Sequence, residues 1–136
     1  MKKFSSVFYL IFLLYYTGLC QNDTSCFNKY IRVELSADIK NIHCFEDSYY
    51  TVQIAFECNK TTLDSIVARL HLVRDDSYAY LEHIYQEFDW WQHSQLRELK
   101  CVYKTEIHTD RIQDGPWTFV GYDEKTSQLY YGRFDL

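Results

Sequence analysis

Histidine is the commonest general base and metal ligand, so the five in this chain are weighed first. They stand at His43, His71, His83, His93 and His108, too scattered to make a local ligand set. His83 and Glu87 would lie one turn apart on a helix. No second histidine completes a His-Glu-x-x-His arrangement, so an exposed helix surface explains the pair better than a metal does. Asp75-Asp76 offers adjacent carboxylates, but neighbours on a helix point apart, and a helix cap is expected there instead of an acid–base pair. There is no nucleophile elbow, glycine-rich phosphate loop or catalytic Cys-His signature. The expectation is a protein without catalytic residues, metal or cofactor, and not an enzyme.

Cysteine chemistry depends on compartment. Met1-Lys2-Lys3 is basic, Phe4 to Tyr16 is almost uninterrupted apolar sequence, and Thr17-Gly18-Leu19-Cys20 supplies a cleavage pattern before polar Gln21-Asn22-Asp23. That order describes a secretory signal peptide over residues 1–20, too short to span a bilayer. The expected product is secreted, carries no membrane anchor, and is a single domain over residues 21–136. Cleavage leaves Cys26, Cys44, Cys58 and Cys101, an even set suited to disulfides in an oxidising compartment. Their spacing does not choose among the three pairings, and no close C-x-x-C pair suggests zinc. Asn22-Asp23-Thr24 and Asn59-Lys60-Thr61 fit the N-glycosylation rule and make Asn22 and Asn59 candidate acceptors.

Composition narrows the partners. Glycine and proline are scarce, aromatic residues reach 18%, and the formal net charge is −5, so a packed core is expected and a polyanion is a poor ligand. Nucleic acid is thereby excluded as a leading partner. Trp90-Trp91 is the most informative pair. Adjacent residues cannot both face one core, so one indole should remain near the surface, where Trp and Tyr dominate binding hot spots. Glu82, His83, Gln86 and Glu87 would surround it with acidic polarity, and these six residues form the candidate partner-binding corner.

Periodicity sets the elements that must hold that corner. Tyr30 to Ala37 alternates as a strand should, Ile42 to Glu46 reads as a short second strand, and Tyr49 to Phe56 as a third. Thr61-Thr62-Leu63-Asp64 resembles a helix start. Leu63, Ile66, Val67, Leu70 and Val73 follow at helical spacing; Ile66 to Val73 also alternates as a strand would, but length and the cap favour a helix. A second phase through Tyr78, Leu81, Ile84, Tyr85 and Phe88 extends the helix past a kink at Asp75-Asp76-Ser77. A strand is expected over Gln95 to Ile107, then, after the break at Gly115-Pro116, two more over Trp117–Tyr122 and Gln128–Phe134. The expected class is α+β, an antiparallel sheet with a long kinked helix across one face. A compact all-β sandwich is the alternative.

This order resembles the peptide-platform region of MHC class I proteins. Phe45-Glu46-Asp47-Ser48-Tyr49-Tyr50 is similar to the turn between early platform strands. Leu96 to Thr105, with Cys101 inside it, is similar to the strand opening the second platform half. Gly121-Tyr122-Asp123-Glu124-Lys125 and Phe134-Asp135-Leu136 are similar to the stretch that follows. The resemblance implies a first platform half over about residues 27–93 and a partial second half over 94–136, ending where a second helix should begin. It further implies an abbreviated, secreted, virus-encoded (poxvirus-like) decoy. Such a protein would bind a host immune receptor or cytokine, of natural-killer receptor or tumour necrosis factor type, in immune evasion. A structural or assembly subunit needing a partner chain, or a small-ligand carrier, are the alternatives. Without a second helix, some of Leu99, Cys101, Tyr103, Phe119 and Tyr131 should be exposed. Such a face favours association as a homodimer or closure through Cys101.

Overall fold

The computed structural model describes residues 23–47, 51–76, 84–106 and 117–135. The leader, Asn22, His108 and the Gly115-Pro116 break lie outside the described residues.

The chain enters through helix α1, Asp23–Tyr30, where alternation had pointed to a strand beginning at Tyr30. Cys26, Phe27 and Ile31 are buried, and Ile31 N–H still donates to the Phe27 carbonyl at 2.8 Å. Arg32 then takes a left-handed φ of 56°, which stops the helix. Residues 33–39 are irregular and not a strand. Two strands follow, β1 over Lys40–Glu46 and β2 over Thr51–Glu57, paired antiparallel.

Helix α2, Lys60–Arg69, starts earlier than the hydroxyl pair suggested. Its N-cap is Asn59, whose side-chain oxygen accepts the Thr62 N–H at 2.9 Å. Leu63 and Ile66 face the core. The helix does not run on through residue 88. His71 adopts a left-handed φ of 53°, and Leu72–Arg74 pair with the strand that contains Tyr103 to Thr105. A backbone that can alternate at Leu72-Val73-Arg74 goes where a free sheet edge accepts its hydrogen bonds. This is the physical reason that the long helix is absent. Tyr78 and Leu81 lie outside the described residues, and Ile84 to Phe88 are not α-helical.

The remaining elements are β3 (Leu72–Arg74), helix α3 (His93–Arg97), β4 (Cys101–Thr105), β5 (Trp117–Asp123) and β6 (Gln128–Phe134). The expected strand over Gln95 to Ile107 thus begins as a helical turn and becomes extended only at Cys101. Among the described residues the six strands form one sheet in the order β1-β2-β6-β5-β4-β3, every neighbouring pair antiparallel. The fold is therefore neither a platform with a long kinked helix nor a two-sheet sandwich. It is one open sheet in which a β1-β2 hairpin and a β3-β4-β5-β6 meander are joined by the pairing of β6 with β2.

Each face of this sheet is covered. Ile54, Phe56, Val120, Leu129 and Tyr131 point to one side and pack with Phe27 of α1 and Leu63 and Ile66 of α2. Ala55, Val102, Phe119 and Tyr130 point to the other, where Tyr85, Trp91 and Leu96 lie on them. Cys101, Phe119 and Tyr131 are consequently buried, and Leu99 and Tyr103 half-buried; among the described residues there is no open apolar face of the kind expected from a missing helix. Among the described residues Leu35 is the exposed large apolar side chain, at 45%.

The cysteines divide in two. Cys26 and Cys44 form a disulfide that fastens α1 to β1, and the Asp23 carboxylate accepts the Cys44 N–H at 3.1 Å. Together these guard an edge strand that could otherwise pair with another chain. Cys58 and Cys101 are both free and buried, so two of the four expected disulfide partners are thiols. Cys58 follows β2 and Cys101 starts β4, with β6 and β5 between them. Three inter-strand steps amount to about 14 Å, beyond the reach of a disulfide.

Candidate functional site

The tryptophan corner is built by a tight turn. Phe88 and Trp91 exchange both backbone hydrogen bonds at 3.0 Å, which leaves Asp89 and Trp90 as the two residues at the apex. Opposite directions follow for the adjacent indoles. Trp91 is fully buried, edge-on to Tyr130 with centroids 5.7 Å apart and tilted against Tyr85 at 5.5 Å. Such aromatic pairs each add roughly 0.5–1.5 kcal/mol beyond burial. Trp90 is half-buried and stays at the surface.

Trp90 is locked in place by other rings. It stacks on His43 of β1 with centroids 5.5 Å apart and planes 10° from parallel. It also stacks on Phe88 at 4.8 Å and 3°, and Phe88 in turn meets Phe45 at 5.0 Å. His43 and Phe45 are two residues apart on one strand and so share a sheet face. The strand thereby supplies two rings at the spacing that the turn needs. Side chains held this way lose little entropy on meeting a partner.

Beside the stack opens a cleft of about 370 Å³. Glu57 and Gln128 enter it from the ends of β2 and β6, which pair at that register. Asn41 lies on the β1 bulge with a left-handed φ of 52°, and its side-chain N–H donates to Glu57 at 2.6 Å. Gln95 of α3 accepts the Tyr130 hydroxyl at 3.3 Å on the inner wall. Asp89 and Trp90 form the outer wall. Two carboxylates line the space, and among the described residues no Lys or Arg does. Among the described residues no ion pair involves Glu57 or Asp89.

The other residues named from the sequence fall differently. Glu82 and His83 lie outside the described residues. Gln86 is exposed, yet its backbone is held by the buried Gln53 side chain through two hydrogen bonds. Glu87 accepts the His93 N–H at 3.2 Å and so caps the start of α3. Of the four described corner candidates, Trp90 alone lines the cleft, and His43, Asp89 and Glu57 join it from elsewhere in the chain. Period-two alternation places His43 and Phe45 on one face, but no local signal says that this face meets residues 88–90.

Asp75 and Asp76 are each engaged by a different cation, and residues 77–83, the segment they were expected to cap, lie outside the described residues. Lys104 takes Asp75 at 2.7 Å and Arg74 takes Asp76 at 3.0 Å. Among the described residues there is no group of three or more His, Cys, Asp or Glu side chains placed to hold a metal. Burial and the nearby Asp38 charge push the Cys58 thiol up to about 12, which makes it a poor nucleophile. Asn59 is exposed, with its side-chain oxygen engaged at the α2 cap. No helix among the described residues is long and apolar enough to cross a membrane. No family model, curated protein or solved structure matches this chain.

Proposed function

We propose that the protein is an exported binding module that acts by contacting a partner protein through the Trp90 corner, and not by catalysis. The leader pattern and the Cys26–Cys44 disulfide support export, since disulfides persist in oxidising compartments. The observation that carries the reading is a half-exposed tryptophan immobilised by His43 and Phe88 at the mouth of an acidic cleft. A rigid aromatic anchor beside polar groups is the usual make-up of a protein-binding hot spot. The narrower expectation of an immune receptor or cytokine rests on the platform resemblance alone, and among the described residues the long kinked helix of that resemblance is not found across the sheet.

The test is saturable binding of the purified secreted chain to an array of extracellular proteins, repeated with Trp90→Ala and with Arg69→Ala. Arg69 lies exposed on α2, which packs on the opposite sheet face. Binding lost with Trp90→Ala and kept with Arg69→Ala supports the reading. Equal binding by both variants overturns it.

A further inference from the structure

We infer that the cleft beside Trp90 receives an arginine side chain of the partner protein, its guanidinium lying along the Trp90–His43 rings and donating to Asp89 and Glu57. This inference rests on the binding-module reading.

Charge selects the class of ligand. Glu57 and Asp89 share one cleft, and among the described residues no Lys or Arg lines it and no ion pair neutralises either. An anion would be repelled by both. A neutral ligand, such as a sugar, could donate hydroxyl hydrogen bonds to the two carboxylates but would leave their charge uncompensated. A cation compensates that charge, and the net charge of −5 favours its approach over the whole surface.

Shape selects the cation. A volume of about 370 Å³ is near the lower end for ligand pockets, which suits one long side chain better than a peptide segment. The walls are planar groups: the stacked indole and imidazole, the amides of Gln95 and Gln128, and the two carboxylates. A guanidinium is planar, stacks on rings and presents five donors in a fixed fork, whereas an ammonium is a compact, strongly hydrated point charge. The Asn41 amide N–H is committed to Glu57, which holds that carboxylate in position and leaves its second oxygen for the ligand.

Hexa-arginine, hexa-lysine and maltohexaose titrated into the full secreted chain at physiological salt, followed by tryptophan fluorescence and calorimetry, test this. Saturable binding of hexa-arginine is expected, tighter than hexa-lysine, with no binding of maltohexaose. Glu57→Gln and Asp89→Asn should each weaken it roughly tenfold or more, the loss of one charge-assisted hydrogen bond. Circular dichroism of both variants checks that they are folded; Asp89 is exposed at a turn apex, so Asp89→Asn keeps the test open if Glu57→Gln misfolds. Equal affinity for arginine and lysine peptides, unchanged affinity in the folded variants, or preference for maltohexaose overturns the inference. A chain that ignores hexa-arginine yet binds a partner protein through Trp90 overturns it while leaving the binding module in place.

Discussion

The side chain of Gln53 satisfies both backbone groups of Gln86: its amide N–H donates to the Gln86 carbonyl at 2.8 Å, and its oxygen accepts the Gln86 N–H at 2.9 Å. Gln53 is fully buried on a central strand, a position otherwise suited to an apolar residue. It acts as a short piece of strand edge that pins the segment carrying Tyr85, Phe88 and Trp90 onto the sheet.

Gln53→Ala should therefore destabilise the protein by about 1–3 kcal/mol, through lost hydrogen bonds and unsatisfied Gln86 groups. Gln53→Glu should cost more, because it buries a carboxylate and removes the donor. Urea denaturation measures both. Amide exchange at Gln86 should accelerate in Gln53→Ala before global unfolding does.

The disulfide closes a loop of 18 residues in sequence separation, for which chain entropy gives about 3 kcal/mol. Replacing Cys26 and Cys44 together by alanine should lower stability by about that amount. Under native conditions Cys58 and Cys101 should resist alkylation, and both should react in denaturant. Mass spectrometry after alkylation checks this; a Cys58–Cys101 crosslink would contradict the strand order.

Asp38 ties the loop before β1 to the start of α2. The Asn59 backbone N–H is the largest reason its carboxyl falls from the ordinary 3.8 to about 2; hydrogen bonds from Ser36 and Thr62 assist. A lowered folded-state value stabilises the fold above the ordinary carboxylate range and loses that effect as pH falls from about 4 to about 2. Asp38→Ala should lower Tm at pH 7, and the gap from wild type should shrink across that acidic window. A gap that does not change with pH would remove the charge from the explanation.

Arg32 and His71 occupy left-handed positions just past α1 and α2, where glycine is usual. The side chain costs roughly 1–2 kcal/mol there, partly offset because glycine loses more entropy on folding. His71→Gly should raise stability by about 0.5–1 kcal/mol, and Arg32→Gly by a similar amount. Thermal unfolding of both variants tests it. A fall in Tm would mean that the side chain makes contacts worth more than the strain.

Short-range chemistry was legible where neighbours in sequence are neighbours in space. Alternation located β1, β2, β5 and β6 to within a few residues. At Tyr30–Ala37 and Gln95–Lys100 the same pattern misled, and at Leu72–Arg74 helical spacing outweighed an alternation that was right. Alternation does not say whether a hydrogen-bonding partner strand exists. Leu72–Arg74 has one in β4, and residues 33–37 have none.

Adjacency of Trp90 and Trp91 dictated by itself that the two indoles part, because consecutive side chains cannot enter one core. Which of them is buried depended on the Phe88–Trp91 turn and on Tyr130 waiting beneath it. Likewise, four cysteines and a leader pattern specify an oxidising route, while pairing is a matter of distance. Helix α1 lies over β1 and brings Cys26 to Cys44; two intervening strands hold Cys58 and Cys101 apart. The cleft belongs wholly to the tertiary structure. Asn41, Glu57, Asp89 and Gln128 are separated by tens of residues, and only the pairing of β1, β2 and β6 beneath the Trp90 turn gathers their charges into one space.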